Sequence, residues 1–184
     1  MDMGALPETR DGSTIHQLTL PDHKVGPVFL VETNGLLAQL LLTQGQKIPY
    51  SFKKEAGSIR SSTPLDSWLI NYLTNAVPLP DWSDIAPHIH PNLWNRSTFD
   101  SDILHALTQV KHGESTTYAD LAEAAGYPRT YARQVGRVVG SNPIPILLPC
   151  HRVLAAGATL GGYSAGLEWK RFLLKLESIP YREL

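Results

Sequence analysis

Pro78, Pro80, Pro87 and Pro91 crowd one short stretch of this 184-residue chain. Proline has no backbone N–H to donate and its ring fixes φ, so helix interiors and central strands exclude it. Residues 78–95 therefore read as an irregular connection between two parts of different character. Residues 1–95 form the expected N-terminal α/β domain, a hairpin or small sheet plus a helix. Residues 96–184 form the expected C-terminal domain, mainly helical and winged-helix-like, and the fold class is α+β.

The first ten to fifteen residues read as a loose tail. Asn34-Gly35 lies between two apolar runs within residues 27–42, the strongest short-range hairpin signal. Thr63-Pro64 reads as an N-cap followed by a first-turn proline. Leu65, Trp68, Leu69, Tyr72 and Leu73 then recur with the period of an amphipathic helix. His88 and His90 form an H-x-H pair with no further ligand cluster, and no metal site is expected there.

From Ser101 the apolar pattern is helical, with Ile103, Leu104, Leu107 and Val110 on one face and Gly113 beyond its end. Thr117 and Asp120 resemble a capping box that opens a short helix stopping at Gly126. Tyr127-Pro128 turns the chain into a second helix over 129–139, closed by Gly140. Ala132, Val135 and Val139 make its buried stripe, while Arg129, Arg133 and Arg137 recur every fourth residue on another face. Two short helices with an arginine stripe on the second read as a helix-turn-helix. An ordinary helical hairpin with a solvated charged face has the same pattern. In a last helix Trp169, Phe172, Leu173 and Leu176 point inward, and Glu177 at its end reads, taken alone, as a surface acid.

The whole chain is nearly neutral, with 16 Lys+Arg against 17 Asp+Glu. The distribution matters more, because screening limits a charge's reach to about 8 Å at physiological salt. Residues 124–167 hold no Asp or Glu but carry Arg129, Arg133, Arg137 and Arg152, a local charge of +4 suited to phosphate contact. A single cysteine excludes a disulfide framework and a multi-cysteine zinc site. No apolar run approaches the roughly 20 residues that span a bilayer, and the first residues lack a signal pattern. The expectation is a soluble protein, cytoplasmic, or nuclear in a eukaryote.

That one thiol, Cys150, stands in SNPIPILLPCHRV at 141–153, after a strand-like apolar run over 144–148. A lone cysteine is commonly a small buried hydrophobe. Here the adjacent His151 and Arg152 make the site electropositive, which favours thiolate over thiol. A free thiol near pKa 8.5 is only a few per cent ionised at about pH 7, so a nucleophile needs such help.

P-C-H-R-V at 149–153, with N-P-I-P-I at 142–146 and G-Y-S-A-G-L-E at 162–168, resembles the O6-alkylguanine-DNA alkyltransferases, the methylated-DNA–protein-cysteine methyltransferases. T-Y-x-x-L-A at 117–122 and A-R-x-V-G at 132–136 extend the likeness, which runs from about Thr116 to Glu177. The resemblance implies repair by irreversible, stoichiometric transfer of an alkyl group from O6-alkylguanine, and from O4-alkylthymine, to Cys150. The substrate would be a nucleotide flipped out of double-stranded DNA, met by a monomer with no cofactor and no metal. His151 would act as base through a bound water, with Glu177 orienting it, and Asn142 would be the hinge behind the recognition helix. Tyr118, the backbone of Val153, Tyr163 and Ser164 would contact the extruded base. Arg133 would enter the base stack, and Arg129 and Arg137 would contact phosphates.

Bland readings stand beside these: Tyr118 can staple a helix start, and Asn142 can serve as a turn residue. Two departures from the family pattern stand out. The turn before Arg133 is one residue longer, leaving the role of Tyr131 open, and Ala165 replaces a common glycine, which narrows tolerance for bulky alkyl groups. A non-catalytic protein that binds alkylguanine DNA to flag lesions is the alternative function; such relatives lack the cysteine. A helix-turn-helix transcription factor leaves P-C-H-R-V unexplained. A cysteine hydrolase fits less well, since neighbours in an extended strand point to opposite faces.

Overall fold

A type I′ hairpin turn needs φ > 0 at both central residues, and Asn34 and Gly35 supply it with φ of 53° and 75°. The turn joins β2 (Val28–Thr33) to β3 (Leu36–Leu42), and β1 (Ser13–Leu18) pairs along the other side of β2. All pairing in this sheet is antiparallel, with a register shift between Val31 and Glu32. The computed structural model describes residues 13–18, 20, 25–43 and 64–183. Strand β1 shows that the expected loose tail does not extend past residue 12. Residues 1–12, and the expected N-cap Thr63, lie outside the described residues.

Helix α1 (Pro64–Asn75) buries Leu65, Leu69, Tyr72 and Leu73, as its periodicity predicts. Trp68 is only half-buried and meets the ring of His88 edge-on, with centroids 5.6 Å apart. His16 of β1, itself buried, is 3.2 Å from the Asp66 carboxylate and ties sheet to helix. The proline-rich stretch is less irregular than its composition predicts. It contains α2 (Trp82–Ile85) and 3₁₀ turns at Ala86–His88 and Pro91–Trp94. Proline is tolerated in the first turn of a helix because the N–H it lacks has no partner there. The chain divides into two compact units between His90 and Pro91.

In the second unit Ser97 caps α3 (Thr98–Thr108) by accepting from the Asp100 N–H at 3.2 Å. The cap starts this helix ahead of Ser101, and it ends before Val110, which drops off the apolar stripe. Thr117 caps α4 (Tyr118–Ala124), again through an Asp three residues on. A 3₁₀ turn at Arg129–Tyr131 then leads into α5 (Ala132–Gly140), so the expected second helix is tightened over its first turn. Val135, Val138 and Val139 form its buried face, and Ala132 is half-buried. Helices α4 and α5 pack together as the helix-turn-helix.

Strands β4 (Thr116–Thr117) and β5 (Val153–Leu154) form a short parallel pair. Helix α6 (Leu167–Leu176) buries Trp169, Lys170, Leu173 and Leu174, with Phe172 and Leu176 half-buried. Residues 144–148 are not a strand, which corrects the sequence reading. Pro143, Pro145 and Pro149 remove ladder donors, and the run folds into a turn with the Leu148 N–H on the Ile144 carbonyl at 3.0 Å. Among the described residues no helix is long and apolar enough to cross a membrane.

Gly35 has open space where a Cβ would stand, so only its backbone requires glycine. Gly35→Ala is expected to lower stability by about 1–2 kcal/mol, the cost of a left-handed L-residue. In chemical denaturation of the full chain the midpoint should fall while the slope is unchanged.

Candidate active site

Cys150 is the first residue of a 3₁₀ turn, Cys150–Arg152, that leads into β5. The thiol is 2% exposed, yet it lines a pocket of about 200 Å³. Tyr118 of α4, Val139 and Gly140 of α5, and Gly162, Tyr163 and Ser164 share that lining. Gly161, next to the lining loop, has φ of 63°, and a Cβ there would meet the Tyr118 hydroxyl at 3.4 Å. A left-handed backbone and a close approach both select glycine at this point.

Asn142, just past α5, fastens the segment that carries the thiol. Its amide nitrogen donates to the Leu148 carbonyl at 2.8 Å and lies 3.1 Å from Cys150 Sγ. Its amide oxygen accepts from the Ile144 N–H at 3.0 Å. The same side chain therefore closes the turn over 142–148 and touches the sulfur.

On the other side of the turn, Glu177 ends α6 with its carboxylate fully buried. Arg152 grips it with Nε on Oε2 and Nη2 on Oε1, both at 2.8 Å. His151 Nε2 lies 3.0 Å from Oε1, and the Gly113 N–H donates to Oε2 at 3.3 Å. Burial alone would push the Glu177 pKa up, but the His151 and Arg152 hydrogen bonds outweigh it and hold the carboxyl well below the usual range. An anionic Glu177 keeps the His151 proton on Nε2, leaving Nδ1 as the basic nitrogen. Burial lowers the His151 pKa despite Glu177, so the imidazole is neutral.

The thiol is governed by opposing effects. Burial pushes its pKa up; the Asn142 and Tyr163 side chains and the positive charge of Lys170 pull it back. At rest it is a protonated thiol beside a neutral imidazole, an arrangement for proton removal at the moment of reaction. Burial, then the nearby Cys150 charge, raise the Tyr118 pKa, so its hydroxyl stays a donor.

The cation that favours the thiolate is not the one the sequence points to. Arg152 is committed to Glu177 and to the Val110 carbonyl at 2.6 Å, and His151 is neutral. Lys170 takes that role from α6. It is fully buried, and its Nζ donates to the carbonyls of Val153 at 2.7 Å and Gly162 at 3.3 Å. Burial pulls its pKa down to about 8. Val153 is buried and does not line the pocket, and its carbonyl already receives this ammonium.

The arginine stripe is partly neutralised. Arg129 pairs with Asp120 and Glu123 of α4, and Arg137 with Asp100 of α3. All of these acids lie outside the acid-free stretch, where local counting misses them. Arg133 is exposed, and among the described residues it has no ion pair. No group of three or more His, Cys, Asp or Glu side chains among the described residues is placed to hold a metal ion.

A family profile described as 6-O-methylguanine DNA methyltransferase, DNA binding domain, matches residues 98–179. Over these residues the chain is similar to that family. The methylated-DNA–protein-cysteine methyltransferase of Haemophilus influenzae is 49% identical over 85 residues, 46% of this chain and 47% of that protein. The chain thus spans about half the length of the curated relatives it matches. Likeness of structure reaches further. The Mycobacterium tuberculosis O6-methylguanine methyltransferase has a TM-score of 0.67 at 27% identity, covering 90% of this chain and 92% of that one. The structure of M. tuberculosis OGT in complex with DNA gives 0.65 at 25% identity, over 89% of this chain and 92% of that one. The α+β class, a small sheet followed by a helical unit, is common to this chain and these methyltransferase structures.

Within residues 98–179, which that profile matches, the thiol, Tyr118, Tyr163 and Ser164 share one pocket, while Asn142, His151 and Glu177 form its support. Lys170 is the member that sequence reasoning missed. The available signal was a lysine beside Trp169 on the apolar face of the last helix, where a cation is rarely buried unless paired.

Lys170 makes stability depend on pH with a definite sign. Below about pH 8 both folded and unfolded chains hold its proton, and the folded state bears the full penalty of burying a cation. Between about 8 and the ordinary 10.5 the folded chain has released that proton and the unfolded chain has not. The unfolded state then binds more protons, and stability rises with pH. Wild type should gain stability relative to Lys170→Met across that window in urea denaturation. A constant difference would contradict the assignment.

Proposed function

We propose that this chain repairs alkylated DNA by transferring the alkyl group of O6-alkylguanine, and of O4-alkylthymine, to Cys150 Sγ. Each molecule acts once and as a monomer. The observation that carries the proposal is the placement of a lone thiol in a base-sized pocket between two tyrosines, backed by a buried imidazole and carboxylate. Similarity of residues 98–179 to the methyltransferase DNA-binding domain, and likeness to an M. tuberculosis relative solved with DNA, support the same reading.

The thiol proton passes through a water to His151 Nδ1, and the imidazolium is stabilised by Glu177. Sulfur then attacks the alkyl carbon in line with the carbon–O6 bond; a carbon–sulfur bond forms as the carbon–oxygen bond breaks. The electron pair leaves on O6, and the purine takes up a proton, so the thiol hydrogen in effect replaces the alkyl group. Tyr118 and Ser164, as hydroxyl donors in the pocket, offset charge developing on the departing ring. Asn142 and Lys170 favour the thiolate, and Tyr163 closes the loop side. The thioether is stable, and no residue in the site removes it.

Reaching an atom inside a duplex requires extruding the base, at a cost of a few kcal/mol that is smallest for a damaged pair. Arg133 offsets that cost by filling the vacated space, Arg137 exchanges the half-buried Asp100 for a phosphate, and Arg129 exchanges the exposed carboxylates of Asp120 and Glu123. Exposed ion pairs of this kind are worth about 0–1 kcal/mol, so the exchange is easily made. A lesion-flagging protein without transfer would have no use for a sulfur so supported.

Incubation with duplex DNA containing O6-methylguanine is expected to add one methyl group to the peptide bearing Cys150, read by intact-mass and peptide mass spectrometry. Unmodified, folded protein after full incubation would defeat the proposal. Arg133→Ala is expected to slow transfer from the duplex about tenfold or more while leaving transfer from free O6-benzylguanine unchanged. Equal losses on both substrates would remove its role in the stack.

A further inference from the structure

Tyr131, in the longer turn before Arg133, is absent from the chemistry above, yet its setting is unusual. Among the described residues it is one of two large hydrophobic side chains left exposed, at 39%. Exposure of an aromatic ring ordinarily means a mobile side chain, and this one is braced. Tyr127 lies behind it with ring centroids 6.1 Å apart and planes 30° from parallel. Phe99 packs at 5.8 Å and 49°. Phe99 in turn meets Tyr127 edge-on at 4.7 Å, and the Tyr127 hydroxyl donates to Asp102 at 2.7 Å. Three rings at preferred aromatic spacings and one charged hydrogen bond hold a single ring outward.

We infer that Tyr131 is a DNA-contacting residue that stacks on a nucleobase of the opened duplex beside the extruded nucleotide, an inference that rests on the repair reading above. Three observations carry it. The ring stands in the 3₁₀ turn that enters α5, the helix that carries the exposed Arg133. Arg133, exposed and without an ion pair among the described residues, lies two positions on, which makes the surroundings more attractive to phosphate than to an apolar protein surface. The aromatic brace fixes the ring before binding, which removes the entropy loss that would otherwise offset a stacking contact. A nucleobase offers a flat face of matching size, and stacking needs no particular sequence.

The test is a comparison of Tyr131→Ala, Tyr131→Leu and Tyr131→Phe on two substrates, duplex O6-methylguanine DNA and free O6-benzylguanine. Removing one stacked ring is expected to weaken duplex binding and slow duplex transfer about tenfold. Alanine and leucine should both show the loss, and phenylalanine, which keeps the ring, should restore wild-type behaviour. All three should react with the free base at the wild-type rate. Wild-type duplex rates in Tyr131→Ala, or full rescue by leucine, would overturn the stacking role. So would an equal loss on the free base, because the effect would then lie in the fold. If wild type itself gains no alkyl group from either substrate, the repair reading fails first, and that result is distinguishable from the others.

Discussion

A carboxylate with no access to water has to be surrounded by donors, and Glu177 meets that demand with Arg152, His151 and the Gly113 amide. Those donors come from the thiol-bearing turn and from the loop after α3, while Glu177 itself ends α6. One anion therefore joins three parts of the second unit and orients the imidazole next to the thiol. Such an arrangement is tolerated only when complete. Breaking a buried pair by removing one partner costs about 3–5 kcal/mol, since the remaining charge stays buried. The site's geometry and the unit's stability thus rest on the same few hydrogen bonds.

Within that frame the thiol is kept in check rather than fully activated. Desolvation favours its protonated form, and Asn142, Tyr163 and Lys170 only partly counter it. A low-polarity pocket strengthens each of these interactions once a substrate excludes solvent. Lys170 also joins the two sides of the site, because its ammonium bridges β5 and the loop that carries Tyr163 and Ser164. Charge and loop position are therefore coupled through one side chain.

Features set by short-range rules were legible in the sequence. The Asn34-Gly35 hairpin, the stripe of α1 and the Thr117–Asp120 cap each depend on residues within a few positions of one another. The expected constellation of thiol, imidazole, carboxylate and asparagine was likewise found together. What escaped depends on partners distant along the chain. The +4 stretch loses most of its excess because Asp100, Asp120 and Glu123 fold against it. The run over 144–148 has strand-like side chains, but its prolines and the Asn142 clasp make it a turn. Lys170 was invisible because a buried cation breaks the pattern from which inward faces are read.

The clasp at Asn142 and the grip on Glu177 differ in one respect. The first is local, spanning eight positions from the amide to the sulfur; the second reaches across twenty-six positions, from His151 to Glu177. Shortening the chain as far as the end of α6 would therefore not trim a dispensable tail. Loss of the last helical turn would strand a guanidinium and an imidazole in the interior without their counter-ion, far from the cut itself.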